Sequence, residues 1–283
     1  MFLDKVVLPV AGVGTRLLPV TKEQPKEMLP IFSSGTDGKI RVFPLIQVVF
    51  EQLYSLNFRK FCFIIGKKEG IIKEHFTPNE TLMKLLENKN NNNFVKDLLK
   101  FQNKVRKSKI SWIKQPRPLG FGHAVLKSLP FTKNDRFLLH AGDTIILSKN
   151  NSHINKLIQC HRTNKASASF IVYEIKNPRQ YGVIDGKVRG NVIEVTDLEE
   201  KPKKPKTNLA ILPVYIFEPE IFQFIEKKPA DKYSEIQLTT AIEKMMNSGL
   251  RICALNLTKE ISHLDIGNPQ SYWHSLTTSF QAS

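Results

Sequence analysis

The chain has 283 residues, 41% of them hydrophobic and 24% charged, which suits one large α/β domain or two small ones with a sizeable core. The longest uninterrupted apolar run, Leu209–Phe217, is far shorter than the ~20 residues that cross a bilayer as a helix. Residues 1–10 contain an acid, Asp4, and no basic leader of a signal peptide. We therefore expect a cytoplasmic protein without a membrane span.

The net charge of +16 and the isoelectric point near 9.7 favour a polyanionic partner. The basic residues form short scattered clusters. They lack the interleaved aromatic residues of a protein that binds single-stranded nucleic acid, and no nucleic-acid-binding module is recognisable. Nucleotides and sugar phosphates are therefore the favoured anions, and nucleic acid is the disfavoured alternative. Cys62, Cys160 and Cys253 lie far apart in apolar or mixed segments, which predicts reduced buried thiols.

Strand and helix patterns alternate along the first half of the chain. Apolar runs predict strands at Lys5–Val10, 60–66, Lys109–Lys114 and 136–141, and helical spacing predicts helices at 44–57 and 121–129. This βαβ order predicts a Rossmann-like, mixed but mainly parallel sheet flanked by helices. Ligands of such sheets bind beyond the carboxyl ends of the strands.

Two segments interrupt that order. Residues 77–108 are helical, polar and basic, with Asn90 to Asn93 as a break, and predict a peripheral helical hairpin. Residues 33–41 are predicted to form a second inserted loop.

The second half predicts antiparallel or mixed strands. The strands are expected at 166–174, 192–197, 208–217 and 251–257, and the helices at 219–226, 236–247 and 269–280. No linker is evident, so we expect a single domain with a nucleotide-binding half at about 1–147 and a sugar-binding half at about 148–283.

The most informative local pattern is PVAGVGTR at residues 9–16. Gly12 and Gly14 lack a Cβ, so their backbone N–H groups can form an anion-binding nest at the end of the first strand, with Arg16 as an added cation. A P-loop would need a Lys-Ser/Thr pair where Thr15 and Arg16 stand, and a dinucleotide-binding turn would need a small residue at Leu17. An ordinary glycine turn is the structural alternative.

Three candidate site residues follow predicted strands of this sheet. Gly14, Gln115 and Asp143 should therefore meet in one crevice. Mg²⁺ favours one or two carboxylates together with water and phosphate oxygens, and Asp143, directly after an apolar strand, is the strongest candidate ligand. An aspartate that caps a turn is the alternative.

Seven motifs occur in a fixed order along the chain: PVAGVGTRLLPVTKEQPKEMLPI, GFGHAVL, GDTI, YGVID, EEKPK, SEIQLTTAI and HLDIGNP. In this order they resemble the sugar-nucleotide pyrophosphorylases, and most closely the UTP–glucose-1-phosphate uridylyltransferases of bacteria and archaea. The resemblance covers nearly the whole chain and implies the GT-A-like fold of nucleotide-diphospho-sugar transferases. It implies Mg²⁺-dependent formation of UDP-glucose and pyrophosphate from UTP and glucose 1-phosphate, by a homo-oligomer, commonly a dimer or tetramer.

The resemblance also implies a role for each matching residue. Arg16 and Lys26 would contact the triphosphate, Lys201 the sugar phosphate, and Asp143 and Asp265 the metal. Sugar contacts would come from Gly182 and Glu200. Nucleotide contacts would come from Ala11, Gly12, Gly14, Thr15, Glu27, Gln115 and Gly120.

Other interpretations remain open from the sequence. Lys201 could belong to a solvated run of lysines, and Asp265 could cap a turn. A thymidylyltransferase, or a pyrophosphorylase for another sugar 1-phosphate, is the alternative enzyme. A nucleotide-sugar sensor without catalytic activity is the alternative from a different class.

Overall fold

The computed structural model describes residues 2–67, 69–87, 93–229, 231 and 234–283, and thirteen strands are assigned among them. The strands are β1 (Lys5–Val10), β2 (Pro30–Ser34), β3 (Ile40–Pro44), β4 (Lys60–Ile65), β5 (Lys109–Lys114), β6 (Phe137–His140), β7 (Thr144–Leu147), β8 (Ala168–Glu174), β9 (Gly182–Arg189), β10 (Val192–Glu200), β11 (Leu209–Phe217), β12 (Ile252–Asn256) and β13 (Ser262–Asp265).

The helices alternate with the strands through most of the described residues. They are α1 (Leu45–Ser55), α2 (Glu69–His75), α3 (Glu80–Glu87), α4 (Asn93–Arg106), α5 (Phe121–Lys127), α6 (Leu129–Thr132), α7 (Ser152–Thr163), α8 (Ile221–Phe224), α9 (Leu238–Asn247) and α10 (Pro269–Ala282). None of the helices in these residues is both long and apolar enough to cross a membrane.

A nine-stranded sheet runs through both halves of the chain, in the order β5-β4-β1-β6-β11-β8-β12-β10-β9. The pairs β5·β4, β4·β1, β1·β6 and β8·β12 are parallel, and the remaining four neighbour pairs are antiparallel. The predicted α/β class and mixed sheet are therefore confirmed, but parallel pairing predominates only in the first half.

Helices cover both faces of this sheet. One buried cluster joins α1, α4 and α7 to the strands, and the other joins α5, α8 and α9 to the opposite face. Successive residues of β1 enter opposite clusters, because side chains alternate across a strand: Val6 and Leu8 lie in the first and Val7 in the second. All six residues of β1 are buried, as expected of a parallel strand covered on both faces.

The strands predicted in the nucleotide half lie close to their predicted positions, and so do β8, β10, β11 and β12. The helix predicted at 236–247 begins later, at Leu238, with Gln237 as its N-cap. The three cysteines are buried and free, as predicted.

The structure corrects the prediction of an inserted loop at 33–41. These residues form the end of a two-stranded hairpin in which β2 pairs antiparallel with β3, from Pro30 opposite Pro44 to Ser34 opposite Ile40. The turn contains Gly35, Asp37 and Gly38, residues that favour a tight reversal, and Gly38 has a positive φ of 75°.

A second small sheet was not predicted. Strand β7 pairs antiparallel with β13, which places Asp265 opposite Thr144, next to Asp143 in the chain. Each strand is only four residues long, too short for alternation to stand out in the sequence.

Helices α3 and α4 occupy the predicted insertion at 77–108. Helix α4 buries Phe101 and Val105 in the first core cluster and so packs against the domain. Of the predicted break, Asn93 begins α4, and Asn90 to Asn92 lie outside the described residues.

Candidate active site

The glycine loop leaves β1 at the carboxyl end of the parallel strands. Gly14 has a φ of 69°, the left-handed region that glycine adopts without strain, and it precedes a short 3-10 helix at Thr15–Leu17. Its carbonyl accepts hydrogen bonds from Leu17 N at 3.0 Å and from the Thr21 hydroxyl at 2.7 Å. The loop is thus held in place while Gly12 and Thr15 remain exposed at its rim.

Lys26 and Asp143 form an ion pair at the centre of the crevice. The Lys26 ammonium donates a hydrogen bond to Asp143 Oδ2, and the two side chains are only 15% and 22% exposed. Burial acts to lower the pKa of Lys26, but the charges of Asp143 and Glu27 outweigh it and raise that pKa. Burial likewise acts to raise the pKa of Asp143, and Lys26 outweighs it and lowers that pKa. Both groups are therefore charged at neutral pH.

Asp265 is the second carboxylate of the centre. The pairing of β13 with β7 positions it, and burial together with the charge of Asp143 raises its pKa to about 6. A Cβ at Gly267 would lie 2.6 Å from Asp265 Oδ2 and 3.6 Å from Arg16 Nη2. The missing side chain at Gly267 therefore leaves room for a carboxylate and a guanidinium at the same place.

Glu27 lies beneath the glycine loop. It is 2% exposed, burial raises its pKa to about 7, and its Oε2 is buried without a hydrogen-bond partner. A Cβ at Gly12 would lie 3.7 Å from Glu27 Oε1. The carboxyl group is thus adjacent to the loop, with one oxygen unused by the protein.

Gln115 follows β5 and is 4% exposed. Its Nε2 donates to the carbonyl of Gly120 at 3.2 Å. Gly120 has a φ of 101°, and a Cβ there would lie 2.7 Å from the Ile236 carbonyl oxygen, so only glycine fits. The segment that carries Gln115 is therefore packed tightly against the chain that precedes α9.

On the other side of the crevice, Glu200 ends β10 and Gly182 begins β9, directly opposite it. Glu200 Oε2 accepts a hydrogen bond from the Thr239 hydroxyl at 2.8 Å, and Glu200 Oε1 lies 3.2 Å from the Lys201 ammonium. Lys201 has a positive φ of 46° and its side chain is 53% exposed.

Two cavities bring the predicted residues together. The first has a volume of about 380 Å³ and is lined by Ala11, Gly12, Gly14, Thr15, Lys26, Glu27, Gln115, Gly120 and Asp143. The second has a volume of about 320 Å³ and is lined by Arg16, Asp143, Gly182, Glu200, Lys201 and Asp265. Asp143, Phe121, Ala141 and Glu235 line both, so the cavities adjoin in one crevice with Asp143 between them.

Some residues of the crevice were missed from the sequence. Gln180 Oε1 accepts a hydrogen bond from Arg16 Nη1 at 3.4 Å, Thr239 holds Glu200, and Tyr215 lines the second cavity. A threonine inside a predicted helix and a tyrosine within an apolar strand carry no local pattern that marks them as site residues.

The described residues contain no group of three or more His, Cys, Asp or Glu side chains arranged to hold a metal ion. The pair Asp143 and Asp265 nevertheless fits Mg²⁺, which takes one or two carboxylates and fills its other positions with water and phosphate oxygens. Burial and the charge of Asp143 raise the pKa of Asp265, and a bound cation would offset both effects.

The fold and the crevice together define a class of protein. Residues 5–280 match the nucleotidyl transferase family, so the chain belongs to that family.

Curated relatives refine this assignment. A UTP–glucose-1-phosphate uridylyltransferase of Staphylococcus epidermidis is 34% identical over 271 residues, 94% of this chain and 88% of the relative. One of Bacillus subtilis is 32% identical over 244 residues, 85% of this chain and 80% of the relative. Within the family, these relatives place the chain among the UTP–glucose-1-phosphate uridylyltransferases, as its motifs predicted.

Comparison with solved structures supports the same assignment. A UDP-glucose pyrophosphorylase complexed with UDP-glucose superposes with a TM-score of 0.83 at 26% identity, covering 99% of this chain and 100% of that one. A UTP-bound enzyme of Acinetobacter baumannii gives a TM-score of 0.84 at 26% identity, with coverage of 99% and 94%.

Proposed function

We propose that the protein transfers the uridylyl group of UTP to glucose 1-phosphate, with UDP-glucose and pyrophosphate as products and Mg²⁺ as the cofactor. The observation that carries the proposal is the continuity of the crevice: the glycine loop, Lys26 and Asp143 line one cavity, and Asp143 also lines the cavity of Glu200 and Lys201. The relatives that match most of the chain carry the same activity in their names, and one neighbour was solved with UDP-glucose and another with UTP.

The chemistry explains why both cavities are needed. An oxygen of the sugar phosphate attacks the α-phosphorus of UTP, the bond from that phosphorus to the β-phosphate oxygen breaks, and pyrophosphate leaves. Both reactants are anions, so the protein must overcome their repulsion and align them, with little covalent chemistry of its own.

On the nucleotide side, the backbone N–H groups of Gly12, Gly14 and Thr15 would face the phosphates. Arg16 and Lys26 would balance the negative charge that builds on the leaving pyrophosphate. Gln115, Gly120, Ala11 and Glu27 would contact the base and the ribose.

On the sugar side, Lys201 would hold the sugar phosphate near the α-phosphorus. Glu200 would accept hydrogen bonds from sugar hydroxyls, and its orientation is already set by Thr239. The Gly182 backbone would approach the sugar closely, since a Cβ there would lie 2.9 Å from Thr239 Cγ2. No general base is required, because the attacking phosphate oxygen is already ionised at neutral pH.

Asp143 and Asp265 would hold Mg²⁺, which when bound neutralises phosphate charge and fixes the two reactants relative to each other. In this structure the Lys26 ammonium neutralises the Asp143 carboxylate.

The remaining expectations form part of the proposal. A single nucleotidyltransferase domain is supported by the central sheet, in which β6 of the first half pairs with β11 of the second. A homo-oligomer is supported by the exposed Trp273 and Phe280 of α10, and light scattering of the purified protein tests it. The cytoplasm is the expected location, since UTP and sugar phosphates are too charged to cross a membrane unaided.

The test is a panel of UTP, dTTP, CTP, ATP and GTP against several sugar 1-phosphates with Mg²⁺, followed by pyrophosphate release. We expect the fastest release with UTP and glucose 1-phosphate. Faster release with dTTP would favour a thymidylyltransferase, and binding of UDP-glucose without turnover of any pair would favour a sensor. The panel repeated with EDTA in place of Mg²⁺ should give no release.

A further inference from the structure

The side-chain amide of Gln115 has an orientation that its neighbours dictate. The amide Nε2 lies 3.2 Å from the carbonyl oxygen of Gly120 and 2.8 Å from Nδ1 of His123. A carbonyl oxygen can only accept a hydrogen bond, so the amide atom that faces Gly120 must be the nitrogen. His123 Nδ1 meets that same nitrogen and must therefore be the acceptor of its second hydrogen.

His123 is suited to be an acceptor. It lies on α5, is 8% exposed, and burial, with a smaller contribution from Lys127, lowers its pKa below the ordinary value. A neutral imidazole has one nitrogen that accepts, and with the proton on Nε2 that nitrogen is Nδ1.

The start of α5 holds His123 in this position. Gly122 N donates to the carbonyl of Ile236 at 2.9 Å, and a Cβ at Gly122 would lie 2.8 Å from the same oxygen. The first turn of α5 is thus packed against the segment before α9, which leaves the imidazole little room to move away from Gln115.

This arrangement determines what Gln115 can offer a ligand. Both of its N–H groups are used within the protein, and no hydrogen bond to its carbonyl oxygen is found among the residues described. Gln115 lines the first cavity and also an adjoining apolar one, together with Ala11 and Gly12. The group that it leaves for a base is therefore an acceptor.

We propose that His123 is a positioning residue for base selection: by taking the second N–H of Gln115 it presents the amide oxygen to the base, so that the site selects a base with an imide N–H. Uracil and thymine carry that donor at N3, whereas cytosine carries an acceptor at N3, which would face the oxygen unpaired. This inference rests on the proposed function, because it takes the Gln115 cavity to be the base site.

Removal of the imidazole acceptor should weaken the selection. In His123→Leu the amide keeps only the longer bond to Gly120, so it can rotate and present its NH₂ group to cytosine. In His123→Asn the side-chain oxygen can replace Nδ1 as the acceptor, so selection should largely be restored.

The experiment compares wild type, His123→Leu and His123→Asn with UTP, CTP, dTTP and 3-methyl-UTP, which lacks the imide N–H. We expect His123→Leu to lower the ratio of kcat/KM for UTP over CTP by ~10-fold or more, mainly through a higher KM for UTP, with kcat changed by less than about threefold. The preference of UTP over 3-methyl-UTP should fall in parallel, and the ratio of UTP to dTTP should stay unchanged.

The control variant is His75→Leu, which removes another histidine–glutamine hydrogen bond, a part-buried one between His75 and Gln47 at 3.0 Å. Neither residue lines the two cavities of the crevice, so this variant should lose stability without any change in base preference.

The readouts separate the possible failures. If His123→Leu lowers the melting temperature and kcat but leaves the UTP to CTP ratio within about twofold of wild type, His123 only supports the fold and the inference is wrong. Calorimetric binding of UTP and CTP to the same variants tests selection without turnover. Selective binding that depends on His123, without any pyrophosphate release, would sustain the inference and overturn the proposed function, and binding of neither nucleotide would overturn both.

Discussion

The two sides of the crevice are built in different ways. On the nucleotide side, one short segment from Ala11 to Glu27 supplies the loop, both cations and a buried acid. On the sugar side, Gly182, Glu200 and Asp265 arrive on three separate strands. The lysines of the two sides also differ in exposure: the Lys26 side chain is 15% exposed and that of Lys201 is 53% exposed.

This difference indicates a division of labour. The nucleotide side is held by contacts within the protein, because Lys26 is paired with Asp143 and the Thr21 hydroxyl donates to the carbonyl of Gly14. The sugar side has a fixed acid, Glu200, but an exposed cation. Substitutions of the phosphate-contacting residues on the first side should therefore reduce kcat, and substitutions on the second should chiefly raise the KM for the sugar phosphate.

The largest effect is expected for Asp143→Asn, since Asp143 lines both cavities. The change removes the carboxylate charge and leaves Lys26 without its ion-pair partner. We expect kcat/KM to fall by ~1000-fold, as is usual when a preorganised charge is lost from such a site. Steady-state kinetics with both substrates measure it.

Asp4→Asn is the matched control for that prediction. It breaks an ion pair of 2.6 Å with Lys60 at the surface and should leave kinetics unchanged. Turnover by Asp143→Asn at the level of this control would refute the assignment of Asp143 as a metal ligand.

Arg16→Ala should have the second largest effect. Arg16 belongs to the nucleotide loop in sequence but lines the cavity of the sugar side. We expect a loss of about 3 kcal/mol of transition-state stabilisation, or ~100-fold in kcat, with little change in the KM for UTP. Lys22→Ala, an exposed cation of the same segment, is the control. Equal effects of the two changes would show that only the general positive charge matters.

The contrast between the two sides also explains what the sequence could predict. The nucleotide side follows from local rules: a buried strand that ends in a glycine turn, and an acid shortly after a later buried strand, indicate a crevice at the carboxyl ends of the strands. The position of Asp265 depends on pairing between Thr144–Leu147 and Ser262–Asp265, more than 100 residues apart, which no local pattern reveals. Asp265 itself was identified only by resemblance.

The missed partners have the same cause. Thr239 and Gln180 contact site residues through tertiary packing, at sequence separations of 39 and 164 from Glu200 and Arg16. His123 was not among the predicted site residues, because its contact with Gln115 depends on how α5 is packed.

Lys201→Ala should have a smaller effect, confined to the sugar side. We expect the KM for glucose 1-phosphate to rise by ~10-fold or more, from the loss of a charged hydrogen bond, while the KM for UTP stays within about twofold. Lys203→Ala and Lys204→Ala change exposed lysines of the same run and serve as controls. A similar rise in all three would mean that Lys201 is only one of several solvated charges.

The smallest effect concerns stability and Glu27. Its pKa is about 7 in the fold against 4.5 ordinarily, so the fold binds the proton more tightly than the unfolded chain does, and stability declines as the pH rises from about 4.5 to 7. Glu27→Gln removes this dependence. The variant should gain about 1–3 kcal/mol over wild type between pH 5 and pH 8, measured by urea unfolding without ligands. A difference that is independent of pH would show that Glu27 is ionised throughout.

The central claim is that the two cavities form one crevice for both substrates, and its most direct test is a crystal structure of the protein with UDP-glucose. The uracil should lie against Gln115 and Gly12, the glucose against Gly182 and Glu200, and the diphosphate next to Asp143 and Lys201. A nucleotide bound on another face of the molecule, or a glucose that lies away from Glu200 and Lys201, would contradict the account.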